Sequence, residues 1–407
     1  MKKQILMFGI LVLGLTLFAQ EVTHETLVIN IEVPVRVFKG NQFIDNLTID
    51  DFELYENGKL QKLEAVYLIR KKDIERKDEK KEFSPDTTRT FYLFFEITDY
   101  SPRLRDAMGY FMQNILGPED SLFISTPMKT YEMSSKALKF KSKEAIVDDL
   151  IGVLRRDAMI GSTEYRSALS ELTKLTRALA SAMGDSRYDQ FDDTGYGDLP
   201  PESKLDMMLQ MYRNVLTRLE QLRYVDEAKL LDFAKSLKDK EGQKCVFLFY
   251  QREYLPQIEQ RILTLALSEF QNMQNISQDL DNLFNSYRRE IGFNVDRVKQ
   301  AYADSSASIH FMFFTKPADD IPGIHFVEHS EDIFAAFMQM ATATGGMTES
   351  SSSPYVLFQK AAESFENYYL LYYTPVNYRK DGQFKNIKVR VKDTVYKVIH
   401  RAGYFAN

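Results

Sequence analysis

Residues Phe91–Leu104 read FYLFFEITDYSPRL. The first seven residues, FYLFFEI, are almost all apolar and do not alternate with polar residues, which is typical of a strand buried on both faces of a parallel sheet. An acid, hydroxyl groups and a proline follow, and these residue types are typical of a loop that leads into a helix. This stretch therefore predicts a central strand of an α/β sheet, with a loop at its carboxyl end, where ligands bind in such folds.

Three later runs resemble FYLFFEI in composition: SLFIST, KCVFLFY and SIHFMFF. Helix-like patterns lie among them, including LRDAMGYFMQNIL, KEAIVDDLIGVL and EDIFAAFMQMAT. Strands that alternate with helices predict a doubly wound, Rossmann-like α/β domain over residues 89–345. Two longer helical patterns interrupt this alternation, an insert at about 164–240 and an extended helix at about 256–303. We expect these helices to pack on each other as a lobe beside the sheet.

Short strand patterns flank this domain on both sides. Residues 21–75 form an N-terminal β segment, in which Asn57-Gly58 is a strong two-residue hairpin signal. A charged stretch at 76–88 is predicted to be a linker. Residues 346–407 form a C-terminal β segment, where alternation places Tyr369, Leu371 and Tyr373 on one face of a strand and Tyr368, Leu370 and Tyr372 on the other. The interior of a sandwich is favoured over a binding interface for these tyrosines.

Composition restricts the functional classes. The chain has 407 residues, 44% of them hydrophobic and 27% charged, with a net charge of −6 and no basic stripe, so we expect no nucleic-acid partner. The first 20 residues, MKKQILMFGILVLGLTLFAQ, predict a secretory signal peptide, with an uncleaved membrane anchor as the alternative. No later apolar run is long enough to cross a membrane, so we expect a secreted or periplasmic protein. Its single cysteine, Cys245, is predicted to be a buried strand residue.

Four stretches carry a resemblance to a known family: LTIDDFELYENGKLQKLEAV, LGPEDSLFI, NYYLLYYTPVNYRKDGQFKNIKVRV and RAGYFA. In these the chain resembles the secreted von Willebrand factor type A-related proteins of acidobacteria and their relatives. The resemblance implies a central type A domain. It also implies that the flanking N- and C-terminal strands pair to form a small β-sandwich.

The resemblance further implies a position for a metal site. In type A domains Asp-x-Ser-x-Ser follows the first strand and, with a loop threonine and a later aspartate, binds a divalent cation such as Mg²⁺ through oxygen atoms. Asp99 and Ser101 match the first two positions, and Thr163 matches the threonine. Arg103 stands at the second serine, and Gln251 stands where the later aspartate is expected. We therefore expect a degenerate metal site and no cofactor.

Other readings of these residues stay open. Asp99 and Ser101 are also suited to capping the helix that begins near Pro102. The acidic segment 184–202 has ligands for calcium, although an exposed loop is the simpler interpretation. His325 and His329 have zinc-like spacing, but Pro322 and Gly323 place them in a predicted loop.

The sequence contains no G-x-S-x-G, Walker or H-E-x-x-H motif. We therefore expect a non-catalytic extracytoplasmic protein that binds another protein or an envelope component. One alternative is a metal-dependent adhesion module that binds a partner carboxylate through Mg²⁺ at Asp99, Ser101 and Thr163. Another is an envelope enzyme that uses Glu253 and the acidic segment.

Overall fold

The structure is a computed structural model that describes residues 29–70, 73–76, 85–133, 137–183, 200–314, 321, 323–351, 353–392 and 395–407. The predicted signal peptide and most of the predicted linker and acidic segment lie outside these residues. Among the described residues, no helix has the length and apolar character needed to cross a membrane.

The described chain contains strands and helices throughout its length. The strands are β1 (Ile31–Lys39), β2 (Gln42–Phe43), β3 (Phe52–Glu56), β4 (Lys59–Gln61), β5 (Leu63–Arg70), β6 (Asp73–Arg76), β7 (Arg89–Glu96), β8 (Ser121–Ser125), β9 (Thr130–Met133), β10 (Gln243–Gln251), β11 (Tyr254–Ile258), β12 (Ala307–Phe314), β13 (Ile324–Glu328), β14 (Met347–Ser351), β15 (Asn367–Tyr373), β16 (Phe384–Val391), β17 (Lys397–His400) and β18 (Gly403–Phe405). The helices are α1 (Arg103–Tyr110), α2 (Ala137–Phe140), α3 (Lys143–Gly161), α4 (Thr163–Ala182), α5 (Pro201–Leu222), α6 (Glu227–Lys238), α7 (Gln260–Glu269), α8 (Gln274–Leu280), α9 (Val295–Asp304), α10 (Glu331–Ala343) and α11 (Pro354–Glu366).

A six-stranded sheet in the order β14-β12-β10-β7-β8-β9 lies at the centre. Only its edge strand β9 is antiparallel to its neighbour. Helices cover both faces: α1, α3 and α11 pack on one, and α6, α9 and α10 on the other. FYLFFEI lacks alternation for this reason, since Phe91, Leu93 and Phe95 enter the first core while Tyr92 and Phe94 face the second. The mixed α/β class predicted from the sequence is therefore observed.

The central sheet extends beyond the predicted boundary at residue 345. Strand β14 pairs with β12, and α11 packs on the same face as α1. Only from Asn367 onward does the chain enter the flanking β module. The predicted start of the linker also differs, because Arg76 belongs to β6.

The flanking strands form two sheets, β17-β1-β15-β5-β6 with β2 beside β1, and β18-β16-β3-β4. A shared apolar core lies between them, which is the arrangement of a β-sandwich. Asn57 and Gly58, with φ of 47° and 80°, form the two-residue turn between β3 and β4, as their sequence predicts. The tyrosine alternation is also confirmed: Tyr369 and Tyr373 enter the sandwich core, whereas Tyr368 and Tyr372 are buried on the opposite face.

The predicted extended helix at 256–303 is wrong. The chain there contains β11, α7, α8, a π-helical turn at Asp281–Asn285 and α9. Pro256 lies in β11, which pairs with β13, and Asn294 caps α9 through its side chain. The spacing of apolar residues resembled that of one long helix because α7, α8 and β11 all bury one face in the same core. Helices α4, α5, α7 and α8 form the expected lobe, but α6 and α9 pack on the sheet instead.

His310 is a polar residue in the middle of the buried strand β12. It is fully buried, and its ring stacks on Phe247 with 5.0 Å between ring centroids. Burial, assisted by the charge of Arg36, lowers the pKa of His310 to about 3. The folded state therefore holds the imidazole neutral, while the unfolded chain protonates it below about pH 6.5.

This difference predicts acid sensitivity. Between about pH 6.5 and 3 the unfolded state binds more protons at this residue, so stability falls as pH falls. We expect His310→Leu to reduce the loss of unfolding free energy between pH 7 and 4.5 by about 3 kcal/mol, measured by urea denaturation at each pH. His325→Gln, which removes an exposed imidazole, is the matched control. Equal losses in His310→Leu and the unchanged protein would contradict the assignment.

Candidate functional site

The strand order of the central sheet reverses between β7 and β10, which lie side by side. A crevice outside the carboxyl ends of parallel strands at such a point is where ligands bind in open α/β sheets. The loop Ile97–Pro102, which follows β7, lies at this edge. The candidate site is therefore the carboxyl edge of the sheet, and it contains the loop predicted from the sequence.

Gln251, at the end of β10, fixes the loop after β7. It is buried, and its side-chain oxygen accepts hydrogen bonds from the backbone N–H groups of Thr98 at 2.9 Å and Asp99 at 3.1 Å. Two backbone donors are thereby satisfied by one neutral amide. At the position where the family resemblance implies a metal-binding acid, this chain has a residue that stabilises the loop itself.

The second loop of the predicted metal site approaches from the start of α4. The Ser162 hydroxyl donates to the carbonyl oxygen of Ile97 at 3.1 Å, which joins the two loops. The Thr163 hydroxyl instead donates to the carbonyl oxygen of Met159, at the end of α3, at 2.9 Å. Arg166, one turn along α4, places a guanidinium nitrogen 4.0 Å from a carboxylate oxygen of Asp99.

These residues are a poor set of ligands for Mg²⁺. The cation requires several hard oxygen ligands, preferably carboxylates, and here Asp99 is the one acid among the predicted ligands Asp99, Ser101 and Thr163. The guanidinium of Arg166 near this carboxylate repels a dication. Among the described residues, no group of three or more His, Cys, Asp or Glu side chains is arranged to hold a metal ion.

The structure places Pro102, rather than Asp99 or Ser101, at the N-cap position of α1. Pro102 itself makes no side-chain capping hydrogen bond. The backbone carbonyl oxygens of Ser101 and Pro102 accept the N–H groups of Leu104 at 3.0 Å and Arg105 at 3.1 Å instead.

A buried ionic network lies behind the loops. A side-chain oxygen of Glu253 lies 2.6 Å from a nitrogen of Arg223, and the other lies 2.6 Å from a nitrogen of Arg289. Arg289 also forms a two-pronged pair with Asp332 at 2.8 and 2.9 Å. The side chains of all four residues are at most 13% exposed, and two positive charges face two negative ones. The network is therefore internally neutral.

The network keeps its arginines charged despite burial. Burial alone would lower the pKa of Arg289, but its hydrogen bonds to Asp332 and the charge of Glu253 outweigh this and raise the pKa. The guanidinium carbon of Arg223 also lies 4.4 Å from the ring centroid of Tyr250, which adds a cation–π contact. Burial raises the pKa of Tyr250 to about 12, so its hydroxyl stays protonated.

A cleft of about 360 Å³ opens beside this network, between the sheet and α6. Phe94, Leu248 and Phe233 supply much of its apolar lining, and Glu96 and Arg223 stand among its few charged residues. An apolar cleft with a few polar groups is the usual form of a small-molecule site.

The remaining sequence candidates are placed as follows. His325 lies on β13 and is exposed, and His329 follows that strand, so the predicted loop is wrong for His325 because the segment pairs with β11. Both carboxylate oxygens of Glu253 are engaged by arginines, which leaves it poorly suited to act as a general base. Cys245 is fully buried in β10, and burial raises the pKa of its thiol to about 12.

Sequence reasoning did not find the partners of Glu253. Arg223 follows α5, Arg289 lies between the π-helical turn and α9, and Asp332 lies in the first turn of α10. Each is a charged residue at the end of a helix or in a loop, where such residues are normally exposed. No local pattern distinguishes them from solvated charges.

Comparisons with known proteins add little. No family model and no curated protein matches this chain. Among solved structures, an aerotolerance-related membrane protein from Bacteroides fragilis NCTC 9343, carrying multiple mutations to serine, aligns with 6% identity and a TM-score of 0.27, covering 69% of this chain and 98% of that one. The human COPII-coat protein Sec24c aligns with 7% identity and a TM-score of 0.30, covering 80% of this chain and 44% of that one.

Similarity this low assigns neither a family nor a function. The interpretation of the carboxyl edge therefore depends on its own geometry.

The ionic network predicts a large cost for removing its central acid. Glu253→Gln leaves two buried guanidinium groups short of a negative charge, and we expect a loss of about 3 to 5 kcal/mol in unfolding free energy by urea denaturation. Glu171→Gln is the matched control, because Glu171 pairs with Arg218 on the lobe surface, where both side chains are more than 40% exposed. That change should cost less than about 1 kcal/mol. Similar losses in the two variants would show that the network does not stabilise the fold.

Proposed function

We propose that this chain is a non-catalytic, extracytoplasmic protein-interaction or scaffold protein. Its central α/β domain is a von Willebrand factor type A-like module in which the metal site has degenerated. The partner is another protein or an envelope component, bound at the carboxyl edge of the sheet without Mg²⁺. The signal peptide predicted from the first 20 residues supports the location.

The observation that carries this proposal is the side chain of Gln251. Its oxygen accepts hydrogen bonds from the N–H groups of Thr98 and Asp99, so a neutral side chain that holds the loop after β7 stands where the family resemblance implies a metal-binding acid. The hydroxyl of Ser162 adds a second tie, to the carbonyl oxygen of Ile97. Because protein atoms already hold the loop in one conformation, little conformational entropy is lost when a partner binds it.

Exposed apolar side chains at the same edge support a protein partner. Met128 follows β8, and Met159 and Ile160 lie at the end of α3; they are 48%, 49% and 54% exposed, respectively. Gly161 is close to Met128, since a side-chain carbon placed on Gly161 would lie 3.2 Å from it. Exposed apolar residues that cluster beside polar ones are typical of interaction surfaces.

The proposal predicts weak metal binding. Calorimetric titration of the mature chain with Mg²⁺, Mn²⁺ or Ca²⁺ should show no one-to-one binding below about millimolar concentration, because one carboxylate faced by a guanidinium attracts a dication poorly. Asp106→Asn, an exposed acid on α1, is the control for loss of a nearby charge. Tight binding that Asp99→Ala abolishes and Asp106→Asn preserves would favour the metal-dependent adhesion alternative.

The proposal also predicts where a partner binds. With the mature chain as bait on an envelope fraction, we expect a captured protein to be retained in EDTA and lost from the Met159→Asp, Ile160→Asp double variant. Val376→Asp, at a 66% exposed position on the sandwich, is the matched control and should retain the partner. Release by EDTA, or loss from the control alone, would exclude this surface as the metal-independent binding site.

A further inference from the structure

A small polar cavity lies at the opposite, amino end of the central sheet. Its volume is about 50 Å³, and it is bounded by Lys244 of β10, Ser308 of β12 and the flanking sandwich strand β1. The sandwich contributes Arg36 from β1 and Arg401 from between β17 and β18. The cavity is therefore at the junction of the two modules.

Three cations line this cavity, and all are more than nine-tenths buried. Arg36, Lys244 and Arg401 are 7%, 5% and 6% exposed. Their hydrogen bonds go to neutral oxygens: Arg36 to the carbonyl of Gly345, and Lys244 to the carbonyl of Lys240 at 2.9 Å. Buried cations normally pair with carboxylates, but no hydrogen bond from these three cations to a carboxylate is found among the described residues.

Arg401 has a donor that the described residues leave unused. Its terminal nitrogens donate to the carbonyl oxygens of Ala303 and Glu32 and to the hydroxyl of Ser306. Its Nε atom is buried and has no hydrogen-bond partner among the described residues. A buried charged donor without an acceptor costs free energy unless a ligand accepts its bond.

Two carboxylates also line the cavity, but both are exposed and engaged elsewhere. Glu32 accepts a hydrogen bond from the Tyr372 hydroxyl at 2.7 Å, and Asp86 accepts one from the backbone N–H of Thr88 at 2.8 Å. Counting three cations against these two acids leaves one excess positive charge on the lining.

The buried cations at the two edges of the sheet have pKa values shifted in opposite directions. At the carboxyl edge, carboxylates raise the pKa values of the buried arginines. Here, burial lowers the pKa of Arg36 to about 10 and also lowers the pKa values of Lys244 and Arg401. The charge of Glu32 raises the pKa values of Lys244 and Arg401, but the effect of burial is larger, so protein atoms compensate these buried charges only in part.

We propose that the cavity binds a small inorganic monoanion, such as chloride, through Arg36, Lys244 and Arg401. The anion supplies the missing negative charge and an acceptor for Arg401. A volume of about 50 Å³ exceeds the space that one water molecule needs and suits a small anion. Because Arg36 and Arg401 belong to the sandwich and Lys244 to the central sheet, the bound anion joins the two modules. This inference is independent of the proposed function at the opposite edge.

Crystals of the mature chain soaked in bromide provide the direct test. We expect an anomalous-scattering peak within hydrogen-bond distance of the Lys244 Nζ atom and the Arg401 guanidinium. In solution, replacing gluconate by chloride at constant ionic strength should raise Tm by at least about 2 °C. Sulfate should replace chloride poorly, because the lining carries one excess charge and little space.

Variants connect the two measurements. Lys244→Met should abolish the chloride dependence of Tm, whereas Lys238→Met, which removes a half-exposed lysine paired with Asp304, should preserve it. If Lys244→Met does not fold, the bromide soak of the unchanged protein still decides. A cavity that holds only water in saturating bromide, or a chloride effect equally present in Lys244→Met, would overturn the proposal.

Discussion

The arrangement of the whole molecule depends on the insertion of β15 between β1 and β5. This strand comes from the C-terminal third of the chain, yet it pairs antiparallel with two strands from the N-terminal segment. Through this pairing the N-terminal and C-terminal β segments share one sheet, although the central α/β domain separates them in the sequence. The pairing also places Tyr368 and Tyr372 on the face of the sheet that lies outside the sandwich core, and that face is buried as well. A strand that is buried on both faces needs apolar side chains on both, and this explains why NYYLLYY is a run of aromatic and aliphatic residues after its first position.

The central sheet has two ends with different electrostatics. At the carboxyl end, Glu253 and Asp332 neutralise the arginines that surround them, and the neutral side chain of Gln251 accepts the hydrogen bonds that shape the adjacent loop. At the amino end, buried cations from both modules meet around a small cavity and bond mainly to carbonyl oxygens. Charges interact more strongly in the buried interior than in water, because its dielectric constant is low. The charges at the carboxyl end balance one another, whereas the proposed anion would supply the missing negative charge at the amino end.

The position of the candidate site could be predicted from the sequence, but the interactions of its side chains could not. The end of FYLFFEI identifies the loop that contains Asp99. Arg103 in place of a serine and Gln251 in place of an aspartate indicate that the metal ligands are incomplete. What these replacements do was not predictable. Gln251 holds a backbone loop 152 residues away in the chain, and Arg166 approaches Asp99 from a helix whose packing no local pattern specifies.

The sequence by itself determined the buried strands, the tight hairpin at Asn57-Gly58 and the alternation of the tyrosines. These features depend on side-chain periodicity and backbone preferences, which act within a few residues. Only the tertiary structure decided which helices cover the sheet, where the predicted helix at 256–303 breaks, and which charges are paired. Those outcomes depend on neighbours that are distant in sequence, and a charged residue looks the same in the sequence whether it is solvated, paired or buried.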